Sequence, residues 1–580
     1  MTAAQASAGS PRRTPPRHLG WIVAAGGVAL LPAAPVLSLV ATALGGSFAQ
    51  WPHLIAHVLP DAALQTATLL FGVGLFVSVV GCGTAWLVTA YDFPGRRALE
   101  WALLLPLAIP TYVVAYAYLD LLHPVGPAQS AIRALLGYSS PRDFRLPDLR
   151  SMTGCVLLLG LVLYPYVYLS VRAVFLTQSA GLIEAARTLG MSRRSAFWRV
   201  ALPLARPGVA LGVSLALMEA LNDIGASEFL GVRTLTVSIY TTWVTRSDLG
   251  SAAQIALVML ALVTALIALE RWARRRQRFA TAGHGARRMT PRRLPPLQAA
   301  LALCFCLLPV LFGFFAPAAH VAVQAAKRVS FAGLSDEIPR EILNTVLVSS
   351  AATVMVVALG ALAAFAARLA PRSGTPAFAR IAALGYAMPG TVVVIGLLGP
   401  VGALDGLIAA AAQAGFGAQA GVALISTGTA LVAAYTIRFL AIGVGGAESG
   451  LARIPPSVDG AARTLGQTAA GAYLKVHLPL SKSALAAAAL LVFVDCLKEL
   501  PATLLIRPLN FETLATHLYG EAARGTYEDG AVAALIIVAV GLLPVILLSR
   551  VGRARDTPAR ARPRPMRAAP LGDLEIGPAR

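Results

Sequence analysis

Two pairs of carboxylates stand inside apolar stretches of this 580-residue chain, and the pairs share one spacing. MEALNDIGASEFL carries Glu219 and Asp223, and FVDCLKELPATLL carries Asp495 and Glu499, each position displaced by 276 residues. Acids at i and i+4 fall on one face of a helix. An ionisable group at membrane depth costs roughly 2.5–3.5 kcal/mol on insertion scales, so these four must face a cavity or a partner. Carboxylate oxygens are hard ligands suited to hard cations. Lys498 offers Asp495 and Glu499 an interhelical ion pair as the alternative. Glu219 and Asp223 have no cation near them in sequence and are read as lining a pathway, with Glu228 further out. Asp223 follows Pro203 by about 20 residues, or ~30 Å of helix, which predicts a position near the outer mouth.

Other chemistries lack their residues. The four lysines, Lys327, Lys475, Lys482 and Lys498, never follow a glycine, so the chain has no phosphate-cradling Gly-Lys loop. There is no His-Glu-x-x-His and no Gly-x-Ser-x-Gly, and the eight histidines are scattered. The five cysteines all sit in apolar runs, placed like small apolar helix residues rather than a disulfide framework or zinc site. The chain therefore reads as a non-enzyme that binds no cofactor or firmly assigned metal of its own.

With 57% hydrophobic residues, 13% charged residues and a mean hydropathy of +0.70, it is an all-α integral membrane protein rather than a soluble globule. The net charge of +21 does not indicate nucleic acid, because the arginines lie between apolar runs and at the ends, as topology signals do. The Arg-rich linker 271–296 suits anionic lipid head groups, at about 1 kcal/mol per basic residue.

A second repeated pattern lies outside the apolar runs. Glu184 to Leu204, EAARTLGMSRRSAFWRVALPL, returns as GAARTLGQTAAGAYLKVHLPL from Gly460 to Leu480, again 276 residues on. The shared core is Ala-Ala-Arg-Thr-Leu-Gly, eleven residues, then Leu-Pro-Leu. A short amphipathic helix is expected from near Leu182, with Glu184 in its first turn facing the positive end of the helix dipole. Gly190 then ends it, since glycine tolerates positive φ at low cost. A second helical turn leads to Pro203 and the fifth apolar run. Such a unit is a mechanical handle whose displacement pulls the attached span.

These residues resemble the EAA loop of the permeases of ATP-binding-cassette importers. The resemblance covers nearly the whole chain apart from its ends and linker. It implies two six-helix type I permease units, whose loops form coupling helices seated in grooves of a separate ATPase. On that resemblance Glu184, Ala185, Ala186, Arg187, Gly190 and Pro203 make the first ATPase contact. Asp459, Gly460, Ala461, Ala462, Arg463, Gly466 and Pro479 make the second. Gly460 stands where the pattern has a glutamate; either Asp459 supplies the carboxylate or the second contact is weaker. The implied partners are an ABC ATPase in two copies, which uses the ATP, and an extracytoplasmic substrate-binding protein. Around the intramembrane acids the chain is most similar to the fused ferric-iron permeases. Thiamine, polyamine and oxyanion permeases share the architecture. A proton-coupled secondary transporter explains the acids but not the two handles.

At about 20 apolar residues per crossing, twelve spans are expected, six per repeat. They lie near 19–44, 64–90, 98–121, 153–176, 205–225 and 251–270, then 297–322, 343–366, 381–404, 418–443, 483–505 and 530–549. The division follows: a disordered cytoplasmic tail 1–18, a first permease unit 19–270, a basic linker 271–296, a second unit 297–549 and a basic tail 550–580. The arginine distribution places both termini and both handles in the cytoplasm of a bacterium bounded by its inner membrane. Pro110 and Pro389 fall at matching places in the third and ninth spans and predict a kink in each.

Overall fold

The computed structural model describes residues 19–46, 50–177, 186, 188–274, 291–416 and 424–556. The first repeat runs through α1 (Leu19–Gly45), α2 (Trp51–Ala90), α3 (Arg96–Ala108) and α4 (Thr111–Leu121). It continues with surface helix α5 (Pro127–Leu136), α6 (Met152–Leu176), α7 (Phe197–Asn222), short α8 (Gly225–Phe229), α9 (Leu235–Tyr240) and α10 (Leu249–Trp272). The second repeat runs through α11 (Pro296–Ala332), α12 (Ile338–Leu369), short α13 (Thr375–Ala382), α14 (Gly390–Gly415) and α15 (Thr429–Leu451). It ends with loop helix α16 (Pro456–Thr464), α17 (Ala469–Leu497), short α18 (Pro501–Ile506), α19 (Leu514–Arg524) and α20 (Tyr527–Leu547). Among the described residues 11 helices are long and apolar enough to cross a membrane, or 12 when α3 and α4 count as one broken span. The protein is a multi-pass, all-α membrane protein.

The prolines act as expected, and more sharply. The α3–α4 pair is bent by 90°. Proline disfavours helical geometry in the residue before it, and Ile109 is accordingly extended, with ψ 124°. Met388 before Pro389 has ψ 125° and separates a short 3-10 turn from α14. The ninth span therefore begins at Gly390 rather than 381, and the tenth at Thr429 rather than 418. The fifth and eleventh helices stop early, at Asn222 and Leu497, instead of running to 225 and 505.

Repeat symmetry extends to hydrogen bonds. Leu235 N–H donates to Thr66 Oγ1 at 2.9 Å, and Leu514 N–H donates to Thr345 Oγ1 at 3.0 Å. The sequence unit and the packing unit nevertheless differ by one helix in each half. Helix α1 packs on α12, α13 and α14 of the second repeat, besides α10 of its own. Helix α11 packs on α2, α3, α4 and α6 of the first repeat, besides α20. The exchanged helices approach closely: a Cβ at Gly396 would sit 2.2 Å from the Pro35 carbonyl oxygen. With lipid as apolar as leucine, such close packing and buried polar contacts hold helices together. Asp120 at the end of α4 accepts from Gln324 Nε2 (2.6 Å) and lies 2.8 Å from His320 Nε2, both on α11. The linker is tied back as well, since Tyr91–Asp92 (β1) pairs in parallel with Arg292–Arg293 (β2).

Candidate functional site

The two early helix ends meet. Between the halves lies a cavity of about 90 Å³ whose lining includes Glu219, Asp223, Asp495 and Glu499. The sequence pairs are thus brought to one place, but not as two acids on one helical face. Helix α7 ends between Glu219 and Asp223, and α17 between Asp495 and Glu499, so only the first acid of each pair is helical. Asp223 and Glu499 occupy the breaks and accept from the next short helix, whose first N–H groups lack intrahelical partners. Ser227 N–H and Oγ donate to Asp223 Oδ2 at 2.7 and 3.0 Å, and Ala502 N–H donates to Glu499 Oε1 at 3.0 Å. Thr111 Oγ1 also donates to Asp223 Oδ1, at 2.6 Å.

Ser227, which donates to Asp223, lies 4.0 Å from Cys155 Sγ, one turn into α6. Asp223 and Glu499 are 7% and 5% exposed. Thr111, which holds Asp223, follows the 90° bend of the third span, only about 20 Å of chain beyond Arg96. Beyond Asp223 the chain runs through α8 to Arg233 and Leu235, which bond Gln65 and Thr66 in the first half of α2. The four acids of the two pairs line one cavity. Glu228 stands apart from them, accepting from Tyr519 Oη of the other repeat.

Cations accompany the acids. Lys498 Nζ lies 2.9 Å from Asp495 Oδ1. Arg438, in the middle of α15, lies 2.7 Å from Glu499 Oε1 and donates to Asn222 Oδ1 at 2.9 Å. Asn222 Oδ1 also accepts from Gly390 N–H, just past the second Pro break. Glu219 accepts from Tyr386 Oη at 2.9 Å. The sequence reading missed Arg438, Asn222, Thr111 and Tyr386. Arg438 had a visible signal, an arginine within the apolar run AAYTIRFLAIG. The others carry no charge and are recruited only by the fold. Chemically, the cavity presents four carboxylates, two of them answered by cations. Glu219 and Asp495 project from helices rather than closing helix breaks.

At the two handles, Glu184, Ala185 and Arg187 lie outside the described residues. What is described matches across the repeats. Gly190 and Gly466 have φ of +86° and +76°, the left-handed conformation that ends a helix. The next N–H turns back in each copy, Met191 to Ala186 O (3.1 Å) and Gln467 to Ala462 O (3.0 Å). Ser192 and Thr468 side chains then accept from Ser195 and Gly471 N–H. A π-turn follows in both, Phe197–Ala201 and Tyr473–His477, and the helix continues through Pro203 and Pro479 instead of starting there.

Two features of the handles escaped the sequence reading. Leu189 and Leu465, beside the paired glycines, are 84% and 79% exposed. Trp198 and Leu474, another repeat-related pair, are exposed too. Asp459 does not face outward as a free carboxylate. It bonds Arg368 at the end of α12 (3.0 Å) and His477 at the start of α17, strapping α16 to two spans. Ala461 and Arg463 are exposed, Gly460 is half-buried and Ala462 is buried.

Residues 77–279 match the family model of the binding-protein-dependent transport system inner membrane component. The chain is 23% identical over 502 residues to the Fe(3+)-transport system permease protein FbpB 2 of Haemophilus influenzae, covering 84% of this chain and 90% of that protein. It is 29% identical over 225 residues to the molybdenum transport system permease protein ModB of Escherichia coli, 37% of this chain and 95% of ModB. The sulfate transport system permease protein CysT of Escherichia coli is 28% identical over 204 residues, 35% of this chain and 70% of CysT.

Proposed function

We propose that the chain is a fused, duplicated permease subunit of the binding-protein-dependent inner-membrane kind, and that it imports ferric iron. In this reading the cavity between α7 and α17 is the substrate's passage. The ATP-binding-cassette ATPase docks on the two handles and is the separate motor, and an extracytoplasmic protein delivers the cargo. The observation that carries the iron reading is the convergence of Glu219, Asp223, Asp495 and Glu499 on one cavity. Hard carboxylate oxygens suit a hard trivalent cation. A relative named for Fe(3+) transport, aligned along 84% of the chain, supports it.

Glu219 and Asp495 are the pathway groups in this proposal, while Asp223 and Glu499 chiefly hold the helix breaks open. The exposed Leu189 and Leu465 extend the ATPase contact beyond Ala186, Gly190, Ala462, Arg463 and Gly466. Closure of the ATPase pair draws the two handles together, and α7 and α17, continuous with them, carry the displacement to the cavity. Cross-links between residues 189 and 465 and the ATPase, measured in two nucleotide states, should change in distance; an unchanged distance defeats this mechanism.

One observation favours a second reading. Arg438 and Lys498 also face the cavity, and among the relatives CysT is named for transport of sulfate, an oxyanion, and ModB for transport of molybdenum. The deciding experiment is uptake in cells lacking other iron importers, with the cognate ATPase and binding protein present. Labelled ferric iron and labelled molybdate are compared for the intact chain and a Glu219→Gln, Asp495→Asn variant. Iron uptake that falls at least ~10-fold in the variant, the equivalent of about 1.4 kcal/mol, supports the iron reading. Molybdate uptake without iron uptake replaces it with the oxyanion reading.

A further inference from the structure

At the far end of α12 from the Arg368–Asp459 strap, three metal-ligating side chains converge outside the central cavity. Glu337 precedes α12, Glu341 lies in its first turn, and His517 comes from α19. One ligand atom from each lies within 4.8 Å of the others. His517 Nδ1 is 2.8 Å from Glu341 Oε1. Glu341 is 3% exposed, and its second oxygen, Oε2, is buried without a hydrogen-bond partner among the described residues. Leaving a buried carboxylate oxygen unanswered is costly, so this corner has unspent ligand capacity.

The scaffold does not require these residues. Helix α19 is pinned to α12 by Leu514 N–H on Thr345 Oγ1 and by Asn344 Nδ2 on the Glu512 carbonyl, 2.9 Å. The first repeat makes the matching pins, through Thr66 and Gln65. Yet the residues there that correspond to Glu337, Glu341 and His517 are Val58, Ala62 and Ser238. The first repeat thus packs its corner with no ligating side chain at these three positions, whereas the second carries a three-donor set there. Neighbouring charges leave the donors uncommitted: Arg507 pairs with Glu512 and Arg524 with Glu521. The donors border an outward cavity of about 920 Å³ that also meets Arg340, Tyr240 and Tyr519.

We propose that Glu337, Glu341 and His517 form a binding site for a divalent transition-metal cation, with solvent completing the coordination. Two carboxylate oxygens and one imidazole nitrogen suit zinc, iron(II), cobalt or manganese, and three protein ligands leave a position open for exchange. Ligand distances near 2.0–2.2 Å need the donors to close by roughly 1 Å, within reach of the exposed Glu337 side chain. The site is independent of what the central cavity carries, so it stands or falls apart from the iron reading.

The test uses the full chain, purified in detergent and freed of metal, titrated with Co²⁺ and followed by its d–d absorption, with Zn²⁺ as competitor. Glu337→Gln and His517→Gln are compared with a His53→Gln, His57→Gln control, because those two rings lie 5.2 Å apart and offer a rival site. The expected result is one bound cobalt per chain, weakened at least ~10-fold in both single variants and unchanged in the control. Thermal unfolding without metal checks that Glu337→Gln, at an exposed position, keeps the fold. Equal cobalt binding by the intact chain and Glu337→Gln, or loss only in the control, overturns the proposal. So does a chain that binds no cobalt.

Discussion

Arg438 shows what a single residue can hide. Its guanidinium meets Glu499 from a position 61 residues away in sequence, and both side chains are almost fully buried, 7% and 4% exposed. Removing one partner of a buried pair leaves an uncompensated charge, which costs about 3–5 kcal/mol. Arg438→Met should therefore lower the thermal unfolding temperature of the detergent-solubilised chain far more than a surface change does. Arg438→Met combined with Glu499→Gln should recover much of that loss, although Glu499 would still cap α18 only through its amide oxygen. Equal melting of single and double variants would mean the two charges do not answer each other. The acids were legible in the sequence because charge inside an apolar run is conspicuous and repeats at one spacing. Their partners were not, because Asn222, Thr111 and Tyr386 are ordinary residues until helix breaks bring them together. The helical-face reading failed for a related reason. It assumed the helix continues, whereas Asp223 has ψ 127° and its carboxylate caps the next short helix.

The handles are elements, and their logic is that of a helix ending. Gly190 and Gly466 adopt positive φ, and a Cβ at either would meet nothing within 4 Å. A Cβ there thus adds no clash; a side chain adds left-handed strain, about 1–2 kcal/mol at each turn. Gly190→Val with Gly466→Val should leave the solubilised permease folded while ATPase co-purification falls, and docking that persists in a folded variant would count against the handle role. Leu189→Glu with Leu465→Glu probes the same contact without touching the backbone, and pull-down of the ATPase should drop similarly. Asp459→Asn acts by another route. It removes the charge that Arg368 and His477 share, so α16 should loosen from α12 and α17, and proteolysis within 452–468 should quicken relative to the intact chain. These turns were legible because only a few residue types end helices this way. The Asp459 strap was not, since its partners lie in two other spans and the first repeat has no counterpart to point to it.

At the scale of the whole molecule, hydropathy fixes how many helices cross but not which neighbours they choose. Twelve crossings in two repeats are equally compatible with two self-contained bundles and with the exchanged arrangement observed, because α1 and α11 are apolar in either. The exchange gives each half contacts it cannot make alone: α1 lies against α12, α13 and α14, and α11 against α3, α4 and α6. Among the described residues the side-chain hydrogen bonds to Asp120 come from His320 and Gln324 of the other half, so a solitary first half would leave that carboxylate with neither partner. Cutting the chain within linker 275–290 and co-expressing the two pieces should yield a complex that co-purifies through detergent and retains ATPase docking. Expressed singly, each piece should be degraded or should self-associate through the empty place of the missing span. A first half that is monomeric alone and melts like the complex would show that the exchanged helices contribute little. Exchange also bears on coupling. A movement entering at either handle reaches a bundle built from both repeats, which under the proposed mechanism would let two ATPase contacts act on one central cavity.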